Sequence, residues 1–407
     1  MGTITIPADR VIPYLAPDDW IKYNVPLVLN DLIEAKAAVL ALKAIPHQRD
    51  WVERLQGIQL KMEVAGTSRI EGADFTENEL DEALDPSAQM DQMMTRSQRQ
   101  ARAAVATYRW IALLPDDLPI TVDLMKEIHR RMVTGCDDDH CAPGELRSRD
   151  QNVTFGFPRH RGSEGGKECA DGFGALTAEL AGRFRDHDPL IQAMALHYHF
   201  ASMHPFLDGN GRTARAIEAL LLQRAGLRDT AFIAMSNYYY EEKPRYLSVL
   251  AEVRRNRHDL TAFLIFGLRG VRMQCDRLSR EITRSVKKAV FRNMMYDLFS
   301  RLETPRKRVI AKRQIEILKV LLDETPLTIE LYRRLKGAYG KLASPTNAFA
   351  RDVFSLVHLG AVKVKHDADK PASLEANLDW PQQITETDFM AKIKNLPTAK
   401  GHGFLSF

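Results

Sequence analysis

Residues 204–215 read HPFLDGNGRTAR, and this stretch decides how the chain around it must fold. Before it, Leu190, Met194 and His197 recur at helical spacing. After it, RTARAIEALLLQRAG continues as a second apolar pattern of the same period and stops at Gly226, a residue that commonly ends a helix. The sequence therefore predicts two helices joined by a tight turn.

The turn itself predicts an anion site. Gly209 and Gly211 allow successive backbone N–H groups to form a concave nest, and the following helix N-terminus adds partial positive charge. Arg212 and Arg215 are three residues apart, so both can face the nest. A phosphate group is the ligand that this combination favours.

Two further side chains of the stretch predict chemistry at that phosphate. Asp208 supplies the hard oxygen that Mg²⁺ takes when phosphates complete its shell, and His204 can exchange a proton near neutral pH. Three histidines lie close in sequence and suggest a transition-metal site as an alternative: His197, His199 and His204. They lack the H-E-x-x-H spacing of zinc sites, and the anion nest beside Asp208 favours Mg²⁺ instead. Taken together, these residues predict phosphoryl or nucleotidyl transfer.

The stretch resembles the Fic family signature, H-x-F-x-(D/E)-G-N-G-R-x-x-R, at every specified position. The resemblance implies a mainly α fold: a Fic-type helical core with a small β-hairpin flap. It also implies ATP-dependent transfer of AMP to a Ser, Thr or Tyr hydroxyl of a protein, with His204 as general base and Asp208 as the Mg²⁺ ligand. The same resemblance implies that Gly209, Asn210 and Gly211 bind the phosphates of ATP. It also implies that Arg212 binds the leaving pyrophosphate and that Arg215 binds the γ-phosphate.

Composition limits the class of protein. The chain has 407 residues, 45% hydrophobic and 27% charged, which is enough for a sizeable core and two or three domains. Its 57 basic and 53 acidic residues are too balanced to make nucleic acid the main partner. No apolar run of about 18 residues and no signal-peptide pattern are found, so we expect a cytoplasmic protein without a membrane span. The four cysteines have no zinc-like spacing and fit reduced thiols.

Residues 1–115 are predicted as an N-terminal helical region, and its first 25 or so residues, which are Pro-rich, are expected to be extended and to wrap a surface formed later in the chain. Within it, Thr67-x-x-x-Glu71-Gly72 resembles the inhibitory motif (S/T)-x-x-x-E-(G/N) found before the core of many Fic proteins. The resemblance implies that Glu71, with Thr67, competes with ATP for Arg215. A helix-capping Thr beside an exposed Glu is the alternative.

Residues 116–303 are predicted as the catalytic core. NVTFGF is a short β-like run, and the resemblance makes Val153, Thr154 and Phe155 part of a flap that binds the main chain of the target protein. The Gly-rich, charged residues 159–176 are expected to be a mobile insert. Tyr246 is a candidate adenine contact by resemblance, or else a helix residue packed in the core.

Residues 304–380 are predicted to form a winged-helix-like domain, since three helical patterns precede a strand at 361–367 and its partner at 374–378. The third helix offers Asn347 and Arg351 but few other basic side chains, so protein contact or packing is favoured over DNA binding. The sequence of the tail, residues 381–407, indicates no particular structure or function.

Together with the resemblance to the Fic family, the sequence therefore predicts an autoinhibited protein adenylyltransferase that uses ATP and Mg²⁺ and modifies an unidentified target protein and itself. Two alternatives stay open: transfer of another phosphate-containing group, including phosphorylation, and a DNA-binding regulator with a Fic-type sensor. Gly211 stands where Doc-type kinases carry Lys, which favours AMP. A homodimer stays open, as does the signal that relieves inhibition.

Overall fold

The computed structural model describes residues 13–45, 49–84, 94–156, 159–227, 233–367 and 370–395. Contacts divide the chain into two compact units, Met1–Arg280 and Glu281–Phe407. Both are mainly α-helical, and the strands described form two small antiparallel pairs, so the predicted mainly α class is confirmed. Among the described residues, no helix is long and apolar enough to cross a membrane.

The helices from the N-terminus to the middle of the chain are α1 (Val25–Ala44), α2 (Arg49–Ile70), α3 (Glu77–Leu84), α4 (Arg96–Ala112), α5 (Val122–Val133), α6 (Lys167–Ala181), α7 (Pro189–Met203), α8 (Asn210–Leu222), α9 (Met235–Glu241), α10 (Lys243–Arg255) and α11 (Thr261–Ser300). Between α5 and α6 lie the strands β1 (Thr154–Phe155) and β2 (His160–Arg161).

Helix α7 is central to the first unit because it is apolar on nearly every face, as expected of a helix that is surrounded by others. Its start is fixed by Asp188, whose carboxylate accepts the Leu190 N–H at 3.0 Å, and by Pro189 at the first helical position. It ends at His204, whose φ of 55° is left-handed and turns the chain sharply into the loop before α8.

Helix α2 is held very close to α9. A Cβ on Gly66 would lie 2.4 Å from the carbonyl carbon of Ser236, so only glycine permits this approach. Next to it, the buried carboxylate of Glu63 accepts the Ser236 N–H at 2.7 Å and the Tyr108 hydroxyl at 2.9 Å. The C-terminal end of α2, which carries the predicted inhibitory motif, therefore follows a fixed path.

The chain before α1 crosses the surface of the first unit, as predicted, over the part that the structure describes. The Tyr14 N–H donates to the Arg161 carbonyl at 3.0 Å, beside the β2 edge, and the Leu260 N–H donates to the Lys22 carbonyl at 2.8 Å. Residues 1–12, for which the same path was predicted, lie outside the described residues.

The expectation of a mobile insert at residues 159–176 is wrong. The segment begins with β2, which pairs with β1 in the register Thr154↔Arg161 and Phe155↔His160, and it continues into α6. Cys169, Phe173 and Leu176 are fully buried on one face of that helix. Their spacing of four and three residues is a helical signal that the many glycines around it obscured.

The second unit contains α12 (Pro305–Asp323), α13 (Thr328–Tyr339), α14 (Pro345–His358), the strands β3 (Val362–Asp367) and β4 (Lys370–Ala376), α15 (Trp380–Gln383) and α16 (Glu386–Lys394). The three predicted helices and the predicted antiparallel hairpin are present in the predicted order. The tail, however, is partly helical, because Trp380 and Phe389 are buried in the core of this unit.

Candidate active site

The turn at His204 is held by a buried arginine. The His204 N–H donates to the Phe200 carbonyl at 3.0 Å, which closes α7, while the Arg147 Nε donates to the His204 carbonyl at 2.7 Å. Arg147 is 1% exposed, and its Nη2 also donates to the Ser163 carbonyl at 2.6 Å. One guanidinium therefore fixes the His204 backbone and the chain that follows β2.

The imidazole of His204 is neutral and presents Nε2. Its Nδ1 lies 3.1 Å from the Ala201 carbonyl oxygen, which can only accept, so Nδ1 carries the proton and Nε2 carries the lone pair. Burial, with Arg147 adding to it, lowers the pKa of His204 to about 4. The Phe155 ring stacks on the imidazole with centroids 4.1 Å apart and planes 14° apart. The arrangement leaves a base available at neutral pH.

The loop between α7 and α8 is stabilised by Asn210. Its side-chain amide accepts the Phe206 N–H at 2.9 Å and donates to the Phe206 carbonyl at 2.8 Å. Both ends of that amide thus make a hydrogen bond within the turn, so the Asn210 side chain stabilises the loop and its backbone N–H lies in the first turn of α8. Gly209, with φ of 74°, precedes the helix without a side-chain cap, and the first-turn N–H groups lack intrahelical partners.

His129 supports the same loop from α5, and the sequence did not single it out. Its ring stacks on Phe206 with centroids 3.7 Å apart. Its Nδ1 accepts the Gly144 N–H at 2.9 Å, so Nε2 carries the proton and donates to the Asp208 carbonyl at 3.0 Å. Burial lowers the pKa of His129 to about 4, consistent with this neutral tautomer. His129 therefore fixes the backbone at Asp208.

The Asp208 carboxylate lies at the surface of the site, with 37% of its side chain exposed. Its Oδ1 accepts the Gly209 N–H at 2.6 Å, and its Oδ2 lies 3.3 Å from Arg96 Nη2. Within the described ranges, no group of three His, Cys, Asp or Glu side chains could hold a metal by itself. A divalent cation at this place would have one protein carboxylate and would take its other oxygens from phosphate and water, as Mg²⁺ does.

Arg212 is buried, 2% exposed, and is bound by a carboxylate from outside the signature. Its Nη1 lies 2.7 Å from Asp137 Oδ2, while Asp208 Oδ1 is 3.8 Å from its Nη2. Asp137 is itself fully buried, and its other oxygen lies 2.6 Å from Arg96. Burial opposes ionisation of Asp137, but Arg212 and the surrounding donors hold the pKa of Asp137 below its ordinary value. Neither Asp137 nor Arg96 was predicted from the sequence.

Arg215 is paired with the two residues of the predicted inhibitory motif. Its Nε donates to Thr67 Oγ1 at 2.8 Å, and its Nη2 donates to Glu71 Oε1 at 2.5 Å. Burial opposes ionisation of the Glu71 carboxyl, yet Arg215, and after it Arg212, hold the pKa of Glu71 below its ordinary value. The pair is therefore a charged one, with Arg215 2% exposed and the Glu71 side chain 38% exposed.

Glu71 also fills the space over the nest. A Cβ on Gly211 would lie 2.2 Å from Glu71 Oε1 and 3.2 Å from Arg215 Nη1. Only a glycine at this position allows the carboxylate to approach the first turn of α8. The structure thus brings Glu71 to the place where the sequence predicts phosphate.

Tyr246 lies in the core beside Arg215. It is 3% exposed, and its hydroxyl is 2.8 Å from His197 Nε2. The opposite ring nitrogen of His197 pairs with the buried Glu218 carboxylate. This placement agrees with the core alternative for Tyr246, and its predicted contact with a base stays a prediction.

The predicted flap residues lie beside the histidine. Thr154 is exposed, while Val153 and Phe155 are half-buried. The Val153 carbonyl accepts the Gly162 N–H at 3.2 Å, and Phe155 packs on His204 as described above. The β2 edge is already bound by Tyr14, so β1 carries the edge available to an added strand.

Comparison with known proteins agrees with this geometry. Residues 119–222 match the model of the Fic/DOC family. A curated protein adenylyltransferase Fic from Drosophila willistoni is 34% identical over 124 residues, which is 28% of this chain and 22% of that protein. The protein adenylyltransferase fic-1 of Caenorhabditis briggsae is 49% identical over 39 residues, 10% of this chain and 8% of that protein. The chain thus spans about a quarter or less of these relatives.

Solved structures show the same fold. Fic-1 (residues 134–508) from C. elegans matches with a TM-score of 0.54 at 20% identity, covering 64% of this chain and 74% of that one. A Fic family protein from Desulfovibrio desulfuricans G20 matches with a TM-score of 0.53 at 18% identity, covering 88% of this chain and 98% of that one. The signature, the site geometry and the family match agree, and together they identify residues 119–222 of this chain as a Fic/DOC family domain.

Proposed function

We propose that the protein is an adenylyltransferase that transfers AMP from ATP to a Ser, Thr or Tyr hydroxyl of a target protein and of itself. The observation that carries the proposal is the position of His204. Its Nε2 is unprotonated, and it stands at the end of α7, one short loop before the uncapped first turn of α8. A base for the hydroxyl and a binding place for phosphate are thus adjacent.

The transfer requires little covalent work from the protein. The hydroxyl oxygen bonds to the α-phosphorus, the bond from that phosphorus to pyrophosphate breaks, and the hydroxyl proton passes to His204 Nε2. The backbone N–H groups of Asn210 and Gly211 bind phosphate oxygens beside Gly209, whose own N–H is bonded to Asp208, and Arg212 neutralises charge on the leaving pyrophosphate. Positioning of the reactants and neutralisation of phosphate charge then account for most of the reduction in the activation barrier.

Asp208 would hold Mg²⁺ at this site, where the ion would neutralise phosphate charge. The fit rests on a half-exposed carboxylate beside the nest, since one carboxylate plus phosphates is a usual Mg²⁺ environment. Arg96, whose Nη2 lies 3.3 Å from Asp208 Oδ2, would have to release this oxygen if the ion took it.

In this proposal, the pairing of Arg215 with Glu71 makes the form described here an inhibited one. Arg215 is the side chain proposed for the γ-phosphate, and its guanidinium is bound to Glu71 and Thr67. A guanidinium fork suits a carboxylate or a phosphate but cannot serve both at one place. In this proposal residues 1–115 regulate and residues 116–303 catalyse. Release of Glu71 is the activating step.

Labelling with two forms of ATP tests the proposed function. The Glu71→Gly variant is incubated with Mg²⁺ and ATP labelled at the α- or the γ-phosphate, and label retained on protein is measured. AMP transfer predicts retention of the α-label alone. Retention of the γ-label would establish phosphorylation instead, and absence of both labels, with folded protein and added target extracts, would refute the proposal.

A further inference from the structure

Asp137 joins two guanidiniums below the phosphate nest. It follows α5, lies outside the signature and is fully buried. Its Oδ2 lies 2.7 Å from Arg212 Nη1, and its Oδ1 lies 2.6 Å from Arg96 Nη2 and 2.9 Å from Gln100 Nε2. Arg96 and Gln100 belong to α4 and Arg212 to α8, so one carboxylate connects three parts of the fold.

Metal binding does not account for this arrangement, and a buried ion pair is by itself weak evidence for a stabilising role. Both oxygens of Asp137 are occupied by donors, and the group is closed to solvent, so it is not placed to take a cation. Buried ion pairs contribute little net stability, because desolvation offsets their attraction and well-packed apolar residues often do as well. The arrangement does, however, determine where Arg212 points.

The alternative partner of Arg212 is close by. Its Nη2 lies 3.8 Å from Asp208 Oδ1, against 2.7 Å from Nη1 to Asp137. Without the charge of Asp137, the nearest carboxylate for this buried guanidinium is Asp208. Arg212 would then turn toward the proposed metal ligand and away from the pyrophosphate.

We propose that Asp137 is a positioning residue for the transfer: it holds Arg212 in the orientation that receives the leaving pyrophosphate and keeps it from pairing with Asp208. This inference rests on the proposed function for its reaction, but its binding part concerns pyrophosphate alone. Asp137 acts through Arg212 and touches no substrate. Its effect must therefore disappear when the Arg212 guanidinium is removed.

A double-mutant cycle in the full-length Glu71→Gly protein tests this dependence. The variants are Asp137→Asn, Arg212→Ala and both together, and the maximal self-labelling rate and the Kd for ATP are measured for each. Asp137→Asn should lower the maximal rate by about 10- to 100-fold, as expected if the Arg212 guanidinium is misplaced by about 1 Å. The Kd for ATP should change less. The double variant should label within about threefold of Arg212→Ala alone.

A matched control separates positioning from loss of a buried charge. Asp31 is also a mostly buried aspartate, paired with Arg269 at 2.7 Å away from the signature, so Asp31→Asn should change the labelling rate by less than about threefold. If Asp137→Asn does not fold, as judged by thermal unfolding, Asp137→Glu keeps the charge and takes its place in the cycle. Multiplicative losses in the double variant, or an equal loss in Asp31→Asn, would overturn the inference.

Titration with inorganic pyrophosphate distinguishes this inference from the proposed function. Calorimetry should show binding weakened about tenfold in Asp137→Asn and in Arg212→Ala, with no further loss in the double variant. If that pattern holds while the Glu71→Gly protein retains no α-label, the transfer proposal fails and the role of Asp137 stands. If labelling is normal but the pyrophosphate losses multiply, the role of Asp137 fails and the transfer proposal stands.

Discussion

Replacement of Glu71 by glycine should convert the protein from an inhibited to an active form. The carboxylate lies 2.5 Å from Arg215 and occupies the space beside Gly211 where a phosphate would bind. Glu71→Gly removes both the charge and the bulk. The main partner that remains for the Arg215 fork is then Thr67, so the guanidinium becomes available to the γ-phosphate.

The expected increase in labelling follows from the strength of the contact between Glu71 and Arg215. A hydrogen bond to a charged group contributes about 1.5–3 kcal/mol, and the 38% exposure of the Glu71 side chain places this pair at the lower end because water screens it. About 1.4 kcal/mol corresponds to a tenfold change in rate. We therefore expect self-labelling from ATP to rise by at least about tenfold.

The assay is incorporation of α-labelled ATP at fixed protein and Mg²⁺ concentration, with ATP affinity measured separately. Glu71→Gln keeps the size of the side chain and removes its charge, so it should label at a rate between those of the parent and Glu71→Gly. Addition of His204→Ala to Glu71→Gly should abolish labelling. If Glu71→Gly labels no faster than the parent while folding and ATP binding are intact, the inhibitory role of the motif is wrong.

Three other changes test the rest of the site. His204→Ala, made in the Glu71→Gly protein, should lower the transfer rate by about 10²–10⁴-fold with ATP binding retained in calorimetry, and undiminished labelling would contradict its role as base. Asp208→Ala should lower the rate in a way that excess Mg²⁺ partly restores, whereas activity that is indifferent to chelators would exclude the metal. Thr154→Pro removes a backbone donor and fixes φ at the β1 edge, so target labelling should fall while the Kd for ATP barely changes. Equal losses of labelling and ATP affinity would assign β1 to the nucleotide pocket instead.

Much of the fold was predictable because its signals are local. Apolar periodicity predicted α7, α8 and the three helices and hairpin of the second unit, and each depends on contacts within a few residues or between neighbouring segments. Prediction failed at α6, where glycines masked a helical spacing, and at the tail, where the Thr385 cap and the buried Phe389 of α16 were not recognised. Both helices bury apolar side chains, and such tertiary packing supplies most of the stability of a helix in a protein.

For the site, the sequence by itself determined the turn at 204–215, because its bonds join near neighbours such as Asn210 and Phe206. Only the tertiary structure decided what surrounds it. Glu71 reaches Arg215 across 144 residues. Such pairings depend on how helices pack, as at Gly66, where α2 approaches α9 too closely for any side chain. The spacing of residues along the sequence does not show how the helices pack. The contacts that control the site can therefore be identified only in the folded structure.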